Sequence, residues 1–424
     1  MKLAGTTLLL AGTSLAFQSQ PEHQIPLDAA LAAPGAWLSR GHSSPAPSYR
    51  DELLSLHKAL VEISSVTYTE NAVGNFLVDY LHTRGFVVSP QFVPATPESE
   101  REGNGKPRFN VIARPGPMTN STPSLLVTSH IDTVPPYIPY SRSDEQVSAD
   151  TSFAGRGSVD DKASVAVQIT AVTELLAAGL IDPKAVTLLF VVGEERTGDG
   201  MRYFSDQLQS HQFSFKAAIF GEPTEGKLAC GHKGYFGCNI TAHGKAGHSG
   251  YPWLGKSATE VLMRGLLKVL DTDLGSSDRF GNTTINVGTI HGGVAPNVIA
   301  ELATAQIAGR VAIGPEPDGG RIVKDRVIDV LKSVDKDAFE VQCNDGYGVV
   351  KCACDVPGFE TDVMNYGTDV PNLKGNHIRY LYGPGTILVA HAANEAIQLA
   401  DLESGVEGYK KLILHALKED VGEL

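Results

Sequence analysis

Ser129-His130-Ile131-Asp132 ends an apolar run and sets an imidazole and a carboxylate two residues apart. On an extended chain such residues share a face, so Asp132 can accept from the distal nitrogen of His130 and fix its tautomer, as a metal-bound imidazole requires. Four further segments offer the same kind of chemistry. Gly155-Arg156-Gly157-Ser158-Val159-Asp160-Asp161-Lys162 leads into an apolar stretch, while Val192-Gly193-Glu194-Glu195, Phe220-Gly221-Glu222-Pro223 and Leu388-Val389-Ala390-His391 each close one. Adjacent Glu194 and Glu195 repel unless a cation or proton lies between them. Leaving a strand they diverge, so one can ligate and the other act as a base. Taken singly, each segment has a bland explanation: a surface His–Asp pair, an N-cap at Asp160 or Asp161, a solvated loop. Taken together, two His and at least three carboxylates at the strand ends of one sheet suit zinc, and a shared Asp suits two ions about 3.5–4 Å apart.

Such a set needs a sheet to hold it. The apolar runs Phe109–Ala113, Leu125–Ser129, Val186–Val192 and Ala217–Phe220 predict strands covered on both faces. Helical spacing runs through Asp51–Ile63 and Glu70–Arg84, and Lys162–Ala178 is apolar nearly all round, which predicts a buried helix. Strands alternating with helices argue a mostly parallel α/β sheet, in which ligands bind beyond the carboxyl ends of the strands. Ile387–Ala390 is expected to add a further buried strand and Val406–Leu417 a closing helix.

Residues 235–345 form a different unit. Tyr235–Ala242, Ser257–Leu270, Thr283–Ile290, Ala300–Ala312, Arg321–Val334 and Phe339–Cys343 follow the order β-α-β-β-α-β of a ferredoxin-like domain. The expected organisation is therefore a catalytic domain in two parts, 49–234 and 346–424, with this unit inserted between them. Ahead of it, residues 17–48 are a linker or pro-segment rich in Ala, Pro, Ser and Gln. Residues 1–16 pair Lys2 with the apolar run Leu8-Leu9-Leu10-Ala11 and the small-x-small ending Ser14-Leu15-Ala16, the pattern of a secretory signal peptide. The expectation is a secreted, extracellular protein.

The charge balance is 35 − 48 = −13, which argues against nucleic acid or an anionic membrane as the main partner. No stretch reaches the ~18 apolar residues of a membrane span. Asn120, Asn239 and Asn282 head N-x-Ser/Thr sequons that could carry glycans on a secretory route. Five cysteines in an oxidising compartment favour disulfides with one thiol left over, in a connectivity the sequence leaves open.

The five chemistry-bearing segments, in this order, resemble the co-catalytic dizinc metallopeptidases that include glutamate carboxypeptidase, acetylornithine deacetylase, succinyl-diaminopimelate desuccinylase and aminoacylase. The resemblance covers nearly the whole chain after residue 50. It implies two zinc ions per subunit, one held by His130 and Glu222, the other by Glu195 and His391, with Asp160 bridging them. It implies Glu194 as the general base that takes the proton of the bridging water, and Asp132 as the partner of His130. It also implies a cis peptide bond between Asp160 and Asp161. On the inserted lid, Gly247-His248-Ser249 is similar to a segment whose histidine stabilises the oxyanion, often across a dimer. Asn297 and Arg310 match positions that hold substrate, Arg310 gripping a carboxylate, although Ile299-Ala300 stands where relatives usually have Pro after the Asn-Val pair. The implied partners are a peptide or N-acyl amino acid substrate and a second copy met through the lid.

Two other readings compete. The same site would serve an aminoacylase or deacetylase acting on N-acyl amino acids, and a secreted location tilts the choice towards a carboxypeptidase. Gly250-Tyr251-Pro252-Trp253-Leu254-Gly255-Lys256-Ser257 fits the phosphate-loop expression G-x-x-x-x-G-K-[ST], but no apolar strand precedes it and Pro252 removes an amide that would face phosphate.

Overall fold

Strand β1 (Val87–Phe92) opens a large sheet, followed by β2 (Phe109–Arg114), β3 (Leu125–His130), β4 (Val186–Val191), β5 (Ala217–Phe220) and β6 (Leu228–His232). The computed structural model describes residues 46–116, 124–211 and 213–418. The 1–16 segment, residues 17–45 and the Asn120 sequon lie outside them. After β6 the chain leaves for the inserted unit and returns as β11 (Val350–Lys351), β12 (Thr361–Met364) and β13 (Ile378–Leu381), where β7 to β10 belong to the insert. The spatial order is β1-β2-β4-β3-β5-β13-β6-β11, with β12 beside β6.

The sheet is mixed rather than mostly parallel. β4, β3, β5 and β13 run parallel at its centre and β12 runs parallel to β6, while β1, β2 and β11 are antiparallel to their neighbours and β13 is antiparallel to β6. Helices α1 (Arg50–Glu62), α2 (Asn71–Thr83), α3 (Lys162–Ala177), α4 (Asp199–Ser210) and the C-terminal Leu399–Lys418 cover it. Helix α3 is the apolar cylinder its composition predicts: every residue from Lys162 to Val172 is buried, between the sheet, α1 and the C-terminal helix. Among the described residues no helix is long and apolar enough to cross a membrane.

One expected strand is absent. Ile387–Val389 forms a 3-10 turn in which Leu388 is 81% exposed. The sheet position beside β5 is taken by β13, nine residues earlier, where Tyr380 and Leu381 are buried. A three-residue apolar run cannot by itself distinguish a strand from a turn that turns its side chains outward.

The insert comprises β7 (Gly234–His243), α5 (Ala258–Leu270), β8 (Thr284–Gly292), β9 (Leu302–Val311), α6 (Gly319–Val334) and β10 (Phe339–Cys343), so the C-terminal helix is α7. All its pairings are antiparallel and the order is β8-β9-β7-β10, which is the ferredoxin-like arrangement. Alternation along β7 and β9 sends Phe236, Cys238, Ile240, Ala303, Ala305 and Ile307 into a core with Leu262, Leu266, Val323 and Val327 of the two helices. Strand β8 is an open edge. Disulfides join Cys230 to Cys354 and Cys238 to Cys343, leaving Cys352 as the thiol.

Candidate metal centre

His130 is the last residue of β3 and only 2% exposed. Its Nδ1 lies 3.0 Å from the backbone oxygen of Asp132 and 3.6 Å from Asp132 Oδ1, while Nε2 faces Asp160 Oδ1 at 3.0 Å. The His-x-Asp pair therefore orients one ring nitrogen and leaves the other to the centre. Asp132 does more than the sequence shows. Its carboxylate accepts from the Thr67 hydroxyl at 2.8 Å and from the backbone N–H groups of Glu194 at 3.1 Å and Glu195 at 3.2 Å. One buried carboxylate thus ties the end of β3 to the turn after β4. That turn is possible because Gly193 has φ of +79°, beyond the easy reach of a side-chain-bearing residue.

Asp160 stands just before α3, and its peptide bond to Asp161 is cis. His391 follows the 3-10 turn with φ of +63°, not a strand as expected. Its Nε2 lies 3.0 Å from Glu195 Oε2 and 3.3 Å from Asp160 Oδ2. Glu222 leaves β5 and is 5% exposed. Ligand atoms of His130, Asp160 and Glu222 all fall within 4.8 Å of one another, and so do those of Asp160, Glu195 and His391. The structure brings these five side chains into two triads that share Asp160.

The electrostatics of this cluster call for cations. Burial, and then repulsion from Glu194 and Asp160, push Glu222 well above the usual carboxylate range, and no described donor reaches its side chain. Burial likewise pushes Glu194 up, helped by Asp369, Glu195 and Asp132. Hydrogen bonds to Asp160 and Glu195 lift His391 to about 10. Burial would lower His130, but Asp132, Asp160 and Glu194 outweigh it and raise it. Carboxylates this close cannot all ionise unless positive charge sits among them, and the donor set of two imidazoles and three carboxylates suits a pair of divalent ions.

The centre lies on an open cleft of about 680 Å³ bordered by Asp160, Glu194, Glu195, Glu222 and His391 on one side and by Tyr235, Arg310 and Tyr347 on the other. Arg310 projects from β9 with its guanidinium 5.5 Å from the Tyr235 ring centre, and among the described residues it has no acidic partner. His248 and Asn297 are not brought there. Both are exposed, on a two-stranded ribbon where Gly247–His248 pairs with Val298–Ile299 and Ser249 N–H donates to the Asn297 carbonyl. The phosphate-loop look-alike is also accounted for: Lys256 pairs with Asp335 and Ser257 caps α5 by accepting from Glu260 N–H. Supporting residues that sequence reasoning missed are Thr67 and Glu395: each is a single polar residue whose partner, Asp132 or the Asp160 loop, lies far away in the chain, with no local pattern to mark it.

The similarities agree with this geometry. Residues 230–336 match the peptidase dimerisation domain of M20 enzymes, and residues 110–221 match peptidase family M28. A peptidase M20 domain-containing protein of Sordaria macrospora is 54% identical over 390 residues, which cover 88% of this chain and 86% of that protein. The chain belongs to the M20 peptidase family. A probable carboxypeptidase of Arthroderma otae is 43% identical to this M20 peptidase, over 87% of both chains. A tripeptidase structure from Staphylococcus aureus shares the fold, with a TM-score of 0.70 at 20% identity, covering 87% of this chain and 99% of that one. This M20 protein is thus a peptidase, a hydrolase with a metal cofactor.

Proposed function

We propose that this enzyme is a secreted carboxypeptidase that removes the C-terminal residue of peptides. The observation that carries the reading is Arg310, without an acidic partner among the described residues, opening onto the same cleft as both triads. A guanidinium offers a planar fork that matches a carboxylate, so a substrate gripped there would present its last amide bond to the centre. The probable carboxypeptidase of Arthroderma otae supports the choice.

In this reading His130, Asp160 and Glu222 hold one zinc ion and Asp160, Glu195 and His391 the second. Ions held there would supply the Lewis acidity that makes water easier to deprotonate and polarises the scissile carbonyl. Glu194, half-buried beside the triads and part of neither, would take a proton from the attacking water and return it to the departing amine. Asp132 holds both the His130 ring and the Glu194–Glu195 backbone, so base and ligands keep one geometry. Arg310 fixes the substrate's carboxylate.

The lid pairs with a second copy. Strand β8 is an unpaired edge, and Met263, Leu267 and Leu270 form an exposed apolar stripe along α5. Edge strands and apolar stripes are costly to leave bare, and a two-fold contact would cover both. His248 would then stabilise the oxyanion in the partner's cleft, with Asn297 beside it. Secretion is supported by the 1–16 pattern, by two disulfides and by the exposed sequons at Asn239 and Asn282.

The test is hydrolysis of a panel holding N-blocked dipeptides with free C-termini, the same dipeptides amidated, N-terminally free tripeptides and N-acetyl amino acids. The first set should be cleaved fastest. Preference for N-acetyl amino acids would make the enzyme an aminoacylase, and dependence on a free N-terminus would make it an aminopeptidase.

A further inference from the structure

The two ligands of the second triad that lie outside the central strands, Asp160 and His391, come from loops 231 residues apart in the chain, and neither loop has regular structure to hold it. We infer that Arg156 and Glu395 are the positioning pair that sets these two ligands against each other, an inference that rests on the two-ion reading above. Neither side chain borders the cleft, so neither is a catalytic residue.

Glu395 Oε1 accepts from three amides of one loop: Gly157 N–H at 2.9 Å, Val159 N–H at 3.1 Å and Asp160 N–H at 3.3 Å. The backbone that carries Asp160 is thus wrapped around one anionic oxygen, as a nest of amides wraps an anion. The other oxygen, Oε2, accepts from Arg156 Nη1 at 2.6 Å. The same guanidinium reaches the opposite loop: Nη2 donates to the carbonyl of His391 itself and Nη1 to that of Ala392, both at 3.3 Å, while Nε donates to the carbonyl of Pro136 at 3.3 Å. Side-chain exposure is 2% for Arg156 and 1% for Glu395. The backbone of His391 is therefore joined to the backbone of Asp160 through two buried, opposite charges. Partners that lie behind a metal ligand and fix its direction govern how tightly the metal is held. Their loss would fall hardest on the second triad, which takes both Asp160 and His391 from these loops, while the first keeps His130 and Glu222 on β3 and β5 and depends on the loops for Asp160 alone.

The experiment titrates wild type, Glu395→Gln and the double variant Arg156→Met/Glu395→Gln with zinc. It counts bound ions per chain by elemental analysis after dialysis against graded chelator, and follows thermal unfolding in parallel. The double variant removes both charges, so it leaves no buried ion without its partner. Wild type should hold two ions. Both variants should keep one tightly and bind the second about 10–100-fold more weakly, the range for partners behind a metal ligand. They should then match the stoichiometry of His391→Ala while remaining folded at the assay temperature. If either fails to fold, Arg156→Lys carries the test, because an ammonium keeps the charge but cannot span Glu395 and the His391 carbonyl together. Variants that melt earlier yet bind both ions as tightly as wild type would overturn the inference and leave a purely structural clamp. Fewer than two ions on wild type would overturn the two-ion reading, and this inference with it.

Discussion

The catalytic half gathers five donor groups and Glu194 within one chain, whereas the lid turns Arg310 to the same cleft and leaves His248 and Asn297 on an exposed ribbon. The donors in the sheet half are mostly buried, and their supports are close: Asp132 behind His130 and the Glu194–Glu195 turn, Glu395 behind Asp160. In the lid, the described contacts of the ribbon residues stay within the lid, such as the Gly250 N–H that donates to His248 Nδ1 at 3.0 Å and the Ser249 N–H that donates to the Asn297 carbonyl. A rigid doubly covered sheet can hold charges against one another at short range. A lid built for contact with another molecule holds its polar residues outward until that molecule arrives. In the reading proposed above, metal chemistry belongs to one chain and oxyanion stabilisation to a pair of them.

The largest effect should come from the sheet half. Removing the metals with phenanthroline should abolish hydrolysis, and zinc or cobalt should restore it, because in the proposed reading Glu194 can deprotonate only a water that the ions have made acidic. Full activity in protein stripped to trace metal, checked by elemental analysis, would remove the basis of the comparison.

Glu194→Gln comes next, with an expected loss of about 10²–10⁴-fold or more in kcat, since Gln keeps the shape but takes no proton. Metal content should stay unchanged. Glu195→Gln should instead weaken metal binding. If elemental analysis finds the reverse, the two glutamates have exchanged roles.

Those two roles show how far the sequence reaches. The strand ends that carry His130, the Glu194–Glu195 pair and Glu222 were legible, because apolar runs covered on both faces leave few places for polar residues. The ferredoxin-like insert was legible from its period changes alone. His391 lies beside Asp160 and Glu195 but on a different element from the one expected, because Ile387-Leu388-Val389 has the composition of a strand and β13 holds the sheet position. The antiparallel flanks, Thr67 and Glu395 were not legible. They are decided by which segments meet in space, and a single Glu or Thr carries no trace of its distant partner.

On the lid, Arg310→Ala should lower kcat/KM by about 2–4 kcal/mol, the scale for removing one partner of a desolvated charge pair, and Arg310→Lys should recover part of it. Amidating the substrate should cost wild type a similar amount and cost Arg310→Ala little more. Additive penalties in that cycle would detach Arg310 from the carboxylate.

The smallest signal is the one most particular to the comparison. His248→Ala and Glu194→Gln should each be weak alone. After mixing and subunit exchange, the hybrid dimer has one site with an intact Glu194 and an intact His248 from the partner. Random pairing in a two-fold dimer then restores about a quarter of wild-type activity. No recovery, with exchange verified by mass, would place His248 in its own chain's cleft or outside the reaction.

The central claim, two ions on triads that share Asp160, is tested most directly by anomalous diffraction at the zinc edge from crystals of the zinc-loaded enzyme. The account predicts two peaks about 3.5–4 Å apart with Asp160 between them, one flanked by His130 and Glu222 and the other by Glu195 and His391. A single peak, or a pair that does not share Asp160, would contradict it.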